Sequence, residues 1–281
     1  MTADEPANWR DMPLFDSLSH PSLDGQWLHP RWNGRNGFAE VAGSMAVAQV
    51  RWAWAVAMGS TEGYDANRYV DACRAVHQVR LLPAILVDST VLTSRVLCDD
   101  WLGQVRARDF VGIKLHPRLG RFDFANPMLP YLIGTANRTG LAVMLCTYCY
   151  SADPSLVDLS VEGLRRLLVS IPDEPLLLLH GATVRLLELA ELTRCFRRCL
   201  LDVSWTVCEY AGTSLDRDLR YVLDRCRDRV CVGSDSPEFT PVQLRRRLVA
   251  LTRGFTSDHV ARIAHGNLLA FSQAALEAST P

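Results

Sequence analysis

The amino-acid sequence predicts a single-domain α/β protein, a (β/α)8 TIM barrel, on three observations. Its 281 residues suit one such barrel, which typically takes about 250 residues. Eight short apolar runs alternate with segments of helical length and period, the pattern of parallel strands joined by helical crossovers. No linker-like stretch divides the chain, which places two smaller domains and an open doubly wound sheet behind the barrel. The barrel is expected over residues 13–275, with tails at 1–12 and 276–281.

The strands are expected at Phe15–Ser19, Trp52–Met58, Arg80–Val87, Phe110–Leu115, Leu141–Thr147, Leu176–His180, Cys199–Ser204 and Arg229–Ser234. After the first, residues 21–42 make a long loop carrying Trp27, His29, Arg31, Trp32 and Arg35. Ordered loops of that length are usually functional, and arginines beside aromatics suit a lid or a substrate clamp. A short helix is expected around Ser44–Val50. Gly140 fits a helix end just before strand five. Leu186, Leu189, Ala190 and Thr193 share one helical face, as do Leu219, Leu223 and Cys226. Thr240-Pro241 starts a helix with a capping hydroxyl and a proline in the first turn, and Ser257-Asp258 opens the last one.

Apolar residues make up 48% and charged residues 22%, with a net charge of −1. That balance gives no attraction for nucleic acid or an anionic membrane. No run is long enough to span a bilayer, and no Gly-x-Gly-x-x-Gly or Walker pattern supports a nucleotide. Nine cysteines without framework spacing, and an N-terminal stretch without an apolar core segment, place the chain in a reducing cytoplasm. Cys146-Thr147-Tyr148-Cys149 has Cys-x-x-Cys spacing, but alternation along a strand sends the two sulfurs to opposite faces.

Of thirty basic residues only Lys114 is a lysine. Lysine offers a compact amine whose pKa moves readily on burial, which guanidinium cannot match. In Gly112-Ile113-Lys114-Leu115-His116, strand parity puts Gly112, Lys114 and His116 on one face and Ile113 and Leu115 on the other. In a barrel of this type the active site gathers at the carboxyl ends of the strands. There the sequence places His20, Lys114, His116, Cys146, Tyr148, His180, Asp202, Ser204, Asp235 and Glu238.

Three of these stretches resemble a known family. Gly112-Ile113-Lys114-Leu115-His116-Pro117, Leu179-His180-Gly181 and Gly233-Ser234-Asp235-Ser236-Pro237 are similar to the strand-four, strand-six and strand-eight motifs of the amidohydrolase superfamily. The amidohydrolase-2 branch, with its aminocarboxymuconate semialdehyde decarboxylase-like enzymes and pyrone-dicarboxylate lactonases, is the nearest. Ala264-His265-Gly266-Asn267-Leu268-Leu269 is similar to that branch's closing segment. The resemblance implies a TIM-barrel enzyme that often forms a homodimer.

The chain departs from the family at its metal ligands. Where the family has a His-x-His pair on strand one, this chain has Leu18-Ser19-His20, and Cys146 stands where strand five usually ends in histidine. Catalytic zinc normally takes three protein ligands and an open position. A zinc ion, if held, would fall to His20, Cys146 and Asp235. The expectation is instead a site with no cofactor.

The resemblance then implies hydrolysis of a small, carboxylate-bearing molecule. Asp235 is expected as general base toward water, and His180 as proton shuttle. Lys114 and His116 are expected to hold a carboxylate or oxyanion. Arg118, Arg121, Arg31 and Arg35 are candidate clamps, with Tyr148, Ser204 and Trp32 as further substrate contacts. Three alternatives stay open: non-oxidative decarboxylation, a Schiff-base lyase using Lys114, and a non-catalytic barrel that binds a ligand.

Overall fold

The computed structural model describes residues 9, 11–59, 64–156 and 158–278. Eight strands run parallel in chain order: β1 Leu14–Ser19, β2 Val50–Ala57, β3 Arg80–Leu86, β4 Gly112–Leu115, β5 Ala142–Cys146, β6 Leu176–Leu179, β7 Cys199–Asp202 and β8 Val230–Cys231. Three backbone bonds bring β8 back to β1. Ser17 N–H donates to the Val232 carbonyl at 3.0 Å, Asp235 N–H to that of Leu18 at 2.9 Å, and His20 N–H to that of Ser236 at 2.8 Å. The single-domain TIM barrel read from the sequence is the fold.

Two layers of core follow from strand parity. Ile113, Leu115, Val143, Leu145 and Leu178 pack outward under the helices. Phe15, Trp54, Leu82, Met144 and Leu177 fill the barrel. Lys114 faces the same way as Gly112, where an added Cβ would meet the Trp54 ring at 2.7 Å. A side chain at 112 would crowd out the tryptophan that fills the barrel below the lysine.

The strands are shorter than expected at several ends, most of all β8. The Asp16 carboxylate is the cause. It accepts from Ser234 N–H at 2.7 Å and from Leu18 N–H at 3.2 Å, so a side chain takes donors that a longer ladder would use. Gly233 lets it through, because a Cβ there would collide with Ser17 and with Leu18 N at 2.9 Å.

The first helix is Phe38–Val47 rather than Ser44–Val50, and Val50 already belongs to β2. Val41, Ala42 and Met45 bury one helical face, and Gln49 at φ 56° turns the chain into the strand. The missed signal was the Phe38, Val41, Met45 spacing. Both barrel boundaries extend into the expected tails. Trp9 Nε1 donates to Thr252 Oγ1 at 3.1 Å, and the helix Gln273–Ala278 buries Ala275 and Leu276. The rest of the expected tails, apart from Asp11 and Met12, lies outside the described residues. Among the described residues no helix is long and apolar enough to cross a membrane.

Candidate active site

The strand ends at the barrel mouth carry backbone strain. His180, Ala182, Thr183, Trp205 and Asp235 all have positive φ, between 51° and 69°. Such non-glycine conformations cost about 1–3 kcal/mol each and persist only where surroundings fix them. Here neighbouring strand ends do so. Thr147 Oγ1 accepts from Ala182 N–H at 2.9 Å, Asp202 Oδ2 accepts from His180 N–H at 3.2 Å, and Thr206 Oγ1 donates to the His180 carbonyl at 2.6 Å.

The floor of the mouth is built on Lys114, His20 and Asp235. His20 Nδ1 lies 3.0 Å from the Val56 carbonyl, which can only accept, so that nitrogen carries the proton. His20 Nε2 therefore offers its lone pair to Lys114 Nζ at 3.1 Å. It also lies 3.3 Å from Asp235 Oδ1, and a positive charge beside two acceptors offsets their repulsion. Burial first, and then the Lys114 charge, lower the His20 imidazole to about 4, which keeps it neutral. Burial would raise the Asp235 carboxyl, but the charges of His180 and Lys114 hold it well below the carboxylate range. Burial lowers the Lys114 amine, opposed by the anions of Asp235 and Cys146.

A second group surrounds His180. Ser204 Oγ donates to Asp202 Oδ2, so it accepts from His180 Nδ1 at 3.2 Å. Ser17 Oγ and Ser204 N–H also bond Asp202, and the buried carboxylate fixes the imidazole through one hydroxyl. His180 and His116 both flank Cys146. Burial alone would raise that thiol, but the two imidazoles overcome it and take it well below its ordinary value. Burial would lower His180, yet Cys146 and Asp235 raise it. The two shifts favour a proton on His180 over one on Cys146, beside a His116 whose own pKa burial lowers.

These groups line a cavity of about 260 Å³, at the small end for a bound organic molecule. Its floor is His20, Lys114, His116, His180 and Asp235; its walls include Arg118, Tyr148, Trp27, Trp205 and Glu238. Arg118 stacks over Tyr148 at 4.0 Å, and its Nε has no hydrogen-bond partner among the described residues. Ser204 is buried behind His180 rather than exposed to the cavity. Arg31 and Trp32 stand apart with Arg35 in an adjoining groove that shares Trp205 and Glu238 with the cavity. Arg121 is not among the residues lining either space. Sequence reasoning did not single out Met58, Leu119 or Trp205. Each follows closely on a strand's carboxyl end, and that position was the available signal.

The three candidate metal ligands have other partners. His20 is taken by Lys114, while Cys146 sits between His116 and His180. Leu18 is wholly buried in the apolar barrel core. Among the described residues no group of three His, Cys, Asp or Glu side chains is placed to hold a metal ion.

No family model and no curated protein matches the chain. Solved structures do. An uncharacterised TIM-barrel protein from Bordetella bronchiseptica is 17% identical, with a TM-score of 0.71 over 94% of this chain and 99% of the other. The 5-carboxyvanillate decarboxylase of Sphingomonas paucimobilis is 13% identical, with a TM-score of 0.66 over 93% and 99%. Amidohydrolase 2 from Bifidobacterium longum subsp. infantis is 16% identical, with a TM-score of 0.59 over 93% and 99%. What the chain shares with them is the TIM-barrel fold. The third bears the name of the branch that the strand-end motifs resemble.

Proposed function

We propose that this barrel hydrolyses a C–O or C–N bond of a small carboxylate-bearing substrate, and does so without a bound metal ion. The observation that carries the reading is Lys114 Nζ on His20 Nε2. In the family that the motifs resemble, the strand-one histidines hold a metal. Here Leu18 leaves one of those positions apolar, and an amine occupies the free lone pair of the other.

In this reading water attacks the substrate carbonyl and its proton passes to Asp235. Lys114 stabilises the oxyanion as it forms, a role that a positioned cation fills well in a site with little water. Asp235 starts as a weak base because cations surround it. As the oxyanion neutralises Lys114, that restraint weakens and the carboxylate becomes more basic. His180, whose pKa Cys146 and Asp235 raise, gives its proton to the leaving oxygen or nitrogen and is then reprotonated by the proton held on Asp235. Arg118, held flat on Tyr148 with Nε free, supports a carboxylate clamp. The test is hydrolysis of carboxylate-bearing lactones and amides by chelator-treated protein. Asp235→Asn should lose about 10²–10⁴-fold in rate; turnover unchanged by that substitution would end the reading.

The lowered Lys114 amine favours a second reading, a Schiff-base lyase, because a desolvated neutral amine attacks carbonyls. Borohydride trapping of a carbonyl substrate on Lys114, seen as a mass increase, would replace hydrolysis with that chemistry. Decarboxylation, the reaction of the Sphingomonas enzyme, is separated in the same assay by measuring released carbon dioxide.

A further inference from the structure

The cavity is polar at its floor and apolar at its rim. Leu28 and Leu119 line its mouth while remaining 50% and 44% exposed. A single exposed leucine needs no explanation. Two, delivered by separate turns to one opening that Met58 also lines, put apolar side chains on a site whose base is ionic.

Both turns are ordered from the floor upward. Leu119 N–H donates to His116 Nδ1 at 3.2 Å, so the rim leucine hangs from a floor imidazole. Arg118, one residue earlier, is stacked on Tyr148. Leu28 follows Trp27, whose ring lies 5.0 Å from that of His20. The turn after β4 therefore supplies a floor group, a charged wall and an apolar rim in His116, Arg118 and Leu119.

We propose that Leu28, Leu119 and Met58 form a subsite for an alkyl arm, so that the substrates are amphiphilic acyl compounds. The carboxyl or acyl head sits at Lys114 and Arg118 and the chain runs out across the rim. This rests on the carboxylate-binding reading of the floor and extends it.

Binding can be read without turnover, because Trp27 and Trp205 line the cavity and report through fluorescence. The probes are straight-chain alkanoates from acetate to octanoate and the matching alkanols, at constant ionic strength. Each methylene that reaches the rim should tighten alkanoate binding by about two- to fourfold, with each alkanoate tighter than its alkanol. Leu28→Asp and Leu119→Asp should flatten the dependence on chain length. Lys114→Met should weaken every alkanoate alike and keep the slope. Alkanoates and alkanols that bind equally, with the same slope, uphold the rim and overturn the carboxylate reading beneath it. Equal affinity from acetate to octanoate, or a slope that survives both aspartates, overturns the rim, as does a series in which nothing binds.

Discussion

Lys114 Nζ lies 3.1 Å from His20 Nε2, and both side chains are about 2% exposed. The lysine charge is one of the two causes that lower His20 to about 4. Lys114→Met should therefore let His20 rise toward its ordinary range, with Asp235 still 3.3 Å away to favour the imidazolium. Histidine NMR titration reads the shift, and an unmoved His20 would contradict the pairing. The same burial leaves little room for Lys114→Arg. Overpacking costs about 1–3 kcal/mol, so the arginine protein should lose thermal stability as well as turnover.

The alternation of strands and helices was legible because strand parity and helical period are local properties of sequence. Lys114 could be placed on the inner face from Gly112 and His116 alone. The ends of β8 could not, because the Asp16 carboxylate that replaces part of its ladder comes from a residue 218 positions away in sequence. The site was half legible for the same reason. His20, Lys114, His180 and Asp235 announce themselves at strand ends. That Cys146 would meet two imidazoles, and that Arg31 and Trp32 would fall in a separate groove, depends on how the loops close in space.

Asp16 should leave a signature in stability against pH. Burial raises its carboxyl to about 7, against hydrogen bonds from Ser234 and Leu18, while in the unfolded chain it titrates near its ordinary value of about 4. A raised folded pKa means that the contribution is complete below about pH 4 and is lost as pH rises through about 7. The slope is about 1.4 kcal/mol per pH unit and the total at most roughly 4 kcal/mol. His20 works the other way: its lowered value makes stability fall as pH drops from about 6.5 toward 4. The two partly cancel in the native protein. Asp16→Asn should unmask the His20 effect, so that stability relative to the parent climbs with pH from 4 to 7. Denaturant midpoints across that range check it, and a constant difference between the two proteins would show that Asp16 ionises normally.

Metal affinity can be tested without a substrate. A ligand at a hundred times its Kd stabilises a fold by about 2.7 kcal/mol, which is several degrees in Tm. With His20 on Lys114 and Cys146 between two histidines, added Zn²⁺ should leave the Tm of chelator-treated protein unchanged. A saturable rise abolished by Asp235→Asn would reveal a rewired metal site and remove the basis for hydrolysis without metal.

Ser204 offers the sharpest test of how His180 is held. Its hydroxyl donates to Asp202 and accepts from His180 Nδ1 at 3.2 Å. In Ser204→Ala, Asp202 keeps Ser17 Oγ and the backbone N–H groups of His180 and residue 204. The carboxylate therefore stays partly satisfied, and the stability loss should stop at about 1–2 kcal/mol. His180 Nδ1 loses its acceptor, and Asp235 Oδ2 lies 3.9 Å from the same nitrogen. The ring should swing toward it, which replaces a neutral partner by a charged one and raises the His180 pKa further. Misplacing a reacting group by about 1 Å costs roughly 10²-fold in rate, so turnover should fall far more than stability does, and the limb of the pH profile that reports His180 should move to higher pH. A hydroxyl that only fills space would give the stability loss and leave the pH profile where it was.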